Sequence, residues 1–536
     1  MAKRQDELAA YNFARKRTVA AFLAPSPGGS EEGAPRPIKT VTPSLALGVV
    51  LVVGFIAWGV IKPSAPQGWD TPGEYIIVDS DSTTRYVVLN DTTSSGKKVP
   101  TLHPVLNYAS AKLLLDKGKG SVLEVSGKEI DKSGIAHGAT LGIPYAPDRL
   151  PSAGDAEKTK TWAVCERPAP GSGNNPDGNI DRAVFVMDAT DAKSLNGAGA
   201  VDPREALYVK DTKTGAEYLV DGQGTRFPLG APGLGNTTMT QLRSAVIGQQ
   251  AEAQPVSQEW LATLNPGQAI TFPDVTGAGS PTSVKGLPAE AGTVGQVLES
   301  SDAQGRQFYV VLQDKVASIS PFVAALLEQS PDARGSGAVK VAPNVIIQAN
   351  GGTADKFYGD KGWPEVVPKQ ANPPASGVEA ARTTSCSVYK GTIGADKKPQ
   401  LATWAGTAYP KKVIADSLSA YVSSGSGLLF QEVTGSASGG GAWYLLTDTG
   451  LRYSLPSNND STAKGSSESS SSSSSSSGSS GSSDPSGSSA SETDKARTRL
   501  GYEDVSTPAI VPQTWATFIP KGPTLDTRSA SQEQSQ

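Results

Sequence analysis

The chain has 536 residues, 37% of them hydrophobic, and a formal net charge of −4. That is enough apolar material for several packed cores. The near-balanced charge, without a long Lys/Arg run or an aromatic-interleaved basic face, argues against a nucleic-acid partner. Two cysteines and two histidines give no C-x-x-C, H-x-x-x-H or H-E-x-x-H spacing, so no metal site is expected.

In chain order, the first predicted element is a helix in QDELAAYNFARKRTVAAFLA, residues 5 to 24. It has no internal Gly or Pro, and Leu8, Tyr11, Val19, Phe22 and Leu23 recur at helical spacing around the basic Arg15, Lys16 and Arg17. A basic amphipathic helix of this kind lies on an anionic leaflet or docks a partner; a frayed basic flank that only sets topology is the bland alternative. Next, VTPSLALGVVLVVGFIAWGVI (41–61) is long and apolar enough to cross a bilayer core. It exceeds a signal-peptide core and no A-x-A site follows, so the span is expected to remain in the mature chain. Lys3, Arg4, Arg15, Lys16, Arg17, Arg36 and Lys39 precede it, whereas residues 63–84 carry Asp70, Glu74, Asp79 and Asp81 and no Lys or Arg. The positive-inside rule puts the N-terminus in the cytoplasm and the large C-terminal part outside.

Beyond residue 63, short β-branched and aromatic runs alternate with Gly, Pro, Asn and Asp, which predicts many short strands. Two internal matches organise them. TRYVVLND with VPTLHPVLNYASAKLLL (84–115) parallels RQFYVVLQD with VASISPFVAALLEQ (306–329), each ending in a helix opened by Pro104 or Pro321, with Ser320 as N-cap of the second. EYLVDGQGTRFPL through PVSQEWLATLNPGQAI (217–270) parallels WYLLTDTGLRYSL through VPQTWATFIPKGPTL (443–525). Tyr218 falls on Tyr444, Arg226 on Arg452, Gly235 on Gly501 and Trp260 on Trp515. Four related repeats follow, of ββα or βαβ type. Cys165 and Cys386 both lie on the outward side, where oxidation is permitted, and are expected to pair; two buried free thiols are the alternative.

The resulting division is a cytoplasmic helix and linker (1–40), a transmembrane helix (41–61), a linker (62–83), repeat 1 (84–120), a central-domain segment (121–204), repeat 2 (205–275), repeat 3 (276–330), a second central segment (331–425), repeat 4 (426–526) and a disordered tail (527–536). Repeat 4 contains a Ser-rich insertion at 457–497, which includes SSESSSSSSSSSGSSGSSDPSGSSASE. Its composition cannot bury a core, and loop closure grows only logarithmically with length. Deletion of 461–494 is therefore expected to be tolerated. The fold class is a bitopic membrane protein with one transmembrane helix and an α+β, strand-rich extracytoplasmic region of four repeats around a central disulfide-closed domain.

No phosphate loop, G-x-S-x-G elbow or dinucleotide fingerprint is present, and sequence spacing alone does not place two carboxylates together in space. No catalytic, cofactor-binding or metal residue is assigned.

The basic head, the single span, Pro104 to Leu113, the L-G-I-P-x-A-P turn (Leu141 to Pro147), W-x-V-C (Trp162 to Cys165), L-G-Y (Leu500 to Tyr502) and P-K-G-P (Pro520 to Pro523) closely resemble EccB, a bitopic membrane component of the type VII (ESX) secretion machinery of actinobacteria. The resemblance covers essentially the whole chain. It implies a structural and assembly component that partners an EccC-like motor ATPase, an EccD-like multi-helix barrel protein and an EccE-like subunit. It further implies self-association, peptidoglycan contact through repeats like those of endolysin wall-binding modules, and a Cys165–Cys386 disulfide. Leu8, Tyr11, Phe13, Arg15, Lys16, Arg17 and Phe22 would be the cytoplasmic contact with EccC and EccD. Some relatives are labelled ATPases; the alternative function is a membrane-anchored extracytoplasmic enzyme, a nucleotide or cell-wall hydrolase. The long Ser tract and the slightly basic-poor head depart from the family pattern.

Overall fold

The computed structural model describes residues 4–23, 38–61, 65–169, 180–303, 305–331, 337–349, 356–374, 381–414, 420–435, 441–456 and 491–534. The chain divides into two compact units: one of residues 1–69, 79–82 and 123–134, the other of residues 70–78, 83–122 and 135–536.

The first unit contains helices α1 (Arg4–Leu23) and α2 (Ile38–Ile61). Among the described residues no helix is long and apolar enough to cross a membrane. The side chains of α2 are described only over residues 43–56, where Leu45, Leu47, Val49 to Val53, Phe55 and Ile56 are all exposed. Elsewhere in this unit, the Asp79 carboxylate accepts from Asp81 N and Ser82 Oγ.

The larger unit is built from three-stranded meanders followed by a helix. In the first, β1 (Tyr75–Asp79), β2 (Arg85–Thr92) and β3 (Lys98–Val105) are antiparallel. Helix α3 (Tyr108–Leu114) follows, and β5 (Ala136–His137) pairs parallel to β3; of the elements between them, strand β4 (Ser121–Val125) ends within the residues of the first unit and helix α4 (Gly127–Lys132) belongs to it. Strand pairing thus begins inside the expected 62–83 linker and continues past residue 120. Pro104 does not open a helix. It sits in β3 opposite Tyr86, where Lys98–Val105 continues the ladder, and the helix starts four residues later under Asn107, whose side chain accepts from Ser110 N.

After the short helix α5 (Ala153–Ala156), β6 (Thr161–Pro168) and β7 (Ile180–Met187) form the first central hairpin. The second meander follows: β8 (Glu205–Asp211), β9 (Glu217–Asp221) and β10 (Thr225–Pro228), then α6 (Asn236–Val246), β11 (Gln254–Val256), α7 (Gln258–Ala262) and β12 (Asn265–Pro266). Strand β11 returns parallel to β8. The third has β13 (Val297–Asp302), β14 (Gly305–Val311) and β15 (Val316–Ile319), then α8 (Pro321–Glu328), β16 (Val339–Lys340) and α9 (Pro343–Gln348). Here β16 returns parallel to β13, so this sheet extends beyond residue 330. Ser320 caps α8 by accepting from Val323 N, and Pro321 occupies its first turn.

Strand β17 (Lys369–Gln370) joins β8, and β18 (Thr384–Ile393) with β19 (Pro399–Gly406) forms the second central hairpin. Strand β20 (Tyr421–Val422) adds to β7. The fourth meander is β21 (Leu428–Val433), β22 (Ala442–Leu446) and β23 (Arg452–Leu455), then α10 (Glu492–Leu500), β24 (Ala509–Pro512) and α11 (Gln513–Ala516). Strand β24 returns parallel to β21.

The last helix, α12 (Thr527–Ala530), occupies the stretch expected to be a disordered tail. Asp526 caps it, the Glu492 carboxylate accepts from Thr527 N and Oγ1, and Ala530 is fully buried. The polar sequence gives no hint of these partners, because they lie far away in the chain. Residues 457–490 of the Ser-rich insertion lie outside the described residues; its expected end at 497 falls inside α10, which Ser491 caps through Asp494 N. A deletion that runs to 494 therefore removes this cap and Glu492. It should lower stability by about 2 kcal/mol relative to a deletion that stops at 490, a difference that urea unfolding of the two variants would measure.

The central hairpins make one sheet in the order β19-β18-β6-β7-β20. One apolar core joins a face of that sheet to the second and fourth meanders, through Trp162, Val164, Leu207, Trp260, Phe430 and Trp515. A second core joins the second meander to the third, and another joins the first to the fourth.

Candidate functional site

Helix α1 exposes Leu8 (64%), Tyr11 (67%), Phe13 (59%) and Phe22 (89%). At 3.6 residues per turn, Leu8, Tyr11, Val19 and Phe22 share one side, Arg15 falls within that stripe, and Phe13 and Arg17 project from the opposite side. The amphipathic expectation is met only in part: aromatic and basic groups ring the helix instead of dividing it into two faces.

The other expected site residues meet at the middle of the central sheet. In TWAVCERP and TSCSVYKGTI every second side chain points to the same face, and the register sets Cys386 directly opposite Cys165. The two are joined by a disulfide that spans 221 residues of sequence. Both cysteines are fully buried, as are Trp162, Val164 and Tyr389 on the opposite face.

Polar side chains fasten this sheet to its neighbours. Glu166, fully buried, accepts from Arg182 Nε at 2.8 Å, Ser257 Oγ at 2.6 Å and Ser257 N at 2.8 Å. Ser257 in turn caps α7 by accepting from Trp260 N, and Trp260 Nε1 donates to Val164 O at 2.9 Å. Sequence reasoning found Trp260 but not the Glu166–Arg182 pair that positions its helix; the charged Glu at the end of an otherwise apolar strand was the available signal. On the fourth meander's side, Tyr389 donates to Ile510 O at 2.6 Å and its ring lies 5.7 Å from that of Trp515. Burial raises the Tyr389 phenol well above its ordinary value. Asn372 fills a further buried junction, where its Nδ2 donates to Tyr208 O and Gln254 Oε1 and its Oδ1 accepts from Tyr208 N.

Asp191, in the 3-10 turn Asp191–Leu195, accepts from Lys411 Nζ at 2.6 Å, Ser423 Oγ at 2.6 Å and Tyr421 OH at 2.8 Å. These bonds hold its carboxyl down at about 2, against an ordinary 3.8. Burial, with Asp191 adding to it, pushes the Tyr421 phenol up to about 12. Because the folded value is the lower one, the network stabilises the fold fully above the ordinary carboxylate value and loses that contribution as pH falls from about 4 towards 2. Thermal unfolding across this window should show a steeper fall for the unaltered protein than for Asp191→Asn.

Among the described residues no group of three or more His, Cys, Asp or Glu is placed to hold a metal ion. His103 is buried with both ring nitrogens engaged, one by Ala139 O and one by Asp91, each at 2.9 Å. His137 lies on the exposed β5, edge-on to Tyr86. This geometry assigns no nucleophile or general base.

The family profile described as "Type VII secretion system ESX-1, transport TM domain B" matches residues 2–536. The chain belongs to the EccB family of type VII secretion proteins. Among curated relatives, an "ESX-5 secretion system ATPase EccB5" of Mycobacterium marinum is 29% identical over 349 residues, which cover 64% of this chain and 62% of that protein. An "ESX-1 secretion system ATPase EccB1" of Mycobacterium tuberculosis is 26% identical over 80% of this chain and 82% of its own length. Among solved structures, this fold recurs in a chain of an intact ESX-5 inner membrane complex, with a TM-score of 0.56 at 21% identity over 100% of this chain and 96% of that one. It recurs also in an EccB3 dimer from the ESX-3 core complex, with a TM-score of 0.55 at 20% identity over 85% of this chain and 99% of that one.

Proposed function

We propose that this EccB-family chain is a bitopic, non-catalytic assembly component of an ESX inner-membrane complex. The observation that carries this reading is the family match, which extends over residues 2–536, from the basic head and the apolar run to the last meander. The apolar sequence Val41 to Ile61, of which the structure describes side chains only over 43–56, is assigned as the membrane span from its sequence, with the asymmetry of flanking charge favouring a cytoplasmic α1 and an outer C-terminal part. The exposed Leu8, Tyr11, Phe13 and Phe22, with Arg15, Lys16 and Arg17, form the contact with an EccC-like motor ATPase and an EccD-like multi-helix protein, beside an EccE-like subunit. Outside, the four meander-plus-helix sheets are copies of one unit around the disulfide-closed sheet. Two modes of engagement follow for that region, self-association and contact with peptidoglycan.

The relatives' names include the word ATPase, but this sequence has no phosphate loop, so no hydrolytic step is assigned to any residue. The test is removal of residues 4–23 from the full-length chain, followed by purification from membranes in mild detergent. Loss of the motor and barrel subunits from the eluate, with the chain still in the membrane, is the expected result. Full recovery of both without α1 would overturn the assigned contact.

A further inference from the structure

The two faces of the central sheet are covered unequally. Towards Trp162 and Tyr389 lie the whole second and fourth meanders. Towards the disulfide, the cover among the described residues includes Ala192 and Leu195 from the 3-10 turn, and Tyr409 and Val413 from the irregular segment 407–414. Side chains hold that segment down. The Tyr409 ring sits under the Arg167 guanidinium at 4.4 Å and 6.0 Å from the Phe185 ring. Two residues on, Lys411 makes its 2.6 Å ion pair with Asp191. Along the seam between the two covering segments runs an open depression of about 640 Å³, lined by Ser194, Gly199, Trp404, Thr407, Tyr409 and Pro410.

We infer that segment 407–414 is a strap that shields the Cys165–Cys386 bond from thiol reductants, latched by Lys411 on Asp191 and by Tyr409 against Arg167 and Phe185. Thiol–disulfide exchange needs a thiolate to reach a sulfur atom, and both cysteines are fully buried. Access from the meander side requires separation of the largest core. Access from the other side requires release of the 407–414 segment, with its Lys411–Asp191 ion pair and the packing of Tyr409 and Val413, a local opening of lower free energy than global unfolding. The seam beside the strap is the entry path. A dithiol reductant then attacks one Sγ, forms a mixed disulfide and expels the other cysteine as a thiolate. The reductant's second thiol attacks the mixed disulfide, releases the second cysteine and leaves the reductant as its own disulfide, so two electrons pass from reductant to protein.

Dithiothreitol reduction of the oxidised full-length chain, timed by alkylation and mass spectrometry, tests this. Lys411→Ala should accelerate reduction about five-fold, in line with loss of one partly exposed ion pair, and Tyr409→Ala more, each with a rate that stays as flat at low urea as that of the unaltered protein. In the unaltered protein the rate should be nearly flat at low urea, as local opening demands. A Lys411→Ala rate equal to that of the unaltered protein would overturn the inference. So would a rate in the unaltered protein that climbs steeply from the first addition of urea, because reduction would then follow global unfolding. The urea dependence decides the matter even if Tyr409→Ala fails to fold.

Discussion

Cys386→Ser should lower the unfolding free energy of the larger unit by about 5 kcal/mol, the value the chain-entropy model gives for a closed loop of this length. The loop contains the second and third meanders complete, so the bond restrains the unfolded chain over 221 residues. In the folded state it also fixes the register of β6 against β18, on which the Glu166 and Tyr389 anchors depend. Residual structure in the unfolded chain reduces the figure. Urea unfolding of Cys386→Ser and of the oxidised protein measures the difference, and a loss below about 1 kcal/mol would show that the loop is already closed by other contacts.

Trp260→Ala and Trp515→Ala should each cost about 4 kcal/mol, as expected for truncation of a fully buried Trp. The two sites part company on replacement by phenylalanine. Trp260 Nε1 donates to Val164 O, so Trp260→Phe also leaves that buried carbonyl short of its donor. Trp515 Nε1 has no hydrogen-bond partner among the described residues, so Trp515→Phe removes only packing. Trp260→Phe should therefore be the more damaging by about 1 kcal/mol. Equal losses by urea unfolding would show that the Trp260 hydrogen bond contributes nothing net.

These two tryptophans also show how much of the fold the sequence made legible. The Tyr218/Tyr444 and Trp260/Trp515 matches fall at equivalent places in the second and fourth meanders: the middle strand and the short helix after the returning strand. Hairpins with alternating apolar residues and helices with a Ser or Asn cap are local signals, so strands such as β9 and β22 and the start of α8 could be read. The Gly235/Gly501 match misleads. Gly235 precedes α6 in an ordinary conformation, whereas Gly501 ends α10 with φ of 91°, the left-handed geometry of a helix stop. Two Leu-Gly pairs with different duties looked alike because the sequence does not say on which side of each the helix lies.

What escaped the sequence is what depends on distant partners. Pro104 reads as a helix opener but closes a ladder against Arg85 to Thr92. Short strands such as β5, β16 and β17 have two residues each and exist only because a longer strand offers them an edge. Of the site, the cysteine pair was legible from compartment and family likeness. The Glu166, Asp191 and Asn372 networks were not, since single polar residues in strands carry no pattern.

An assembly component, as proposed, should leave the membrane together with its partners. Purification of the tagged full-length chain from its own membranes in mild detergent, with its companions identified by mass spectrometry, tests it most directly. A stable complex containing a motor ATPase and a multi-helix membrane protein is the expected result. Recovery of the chain alone, monomeric and without either companion, would contradict it.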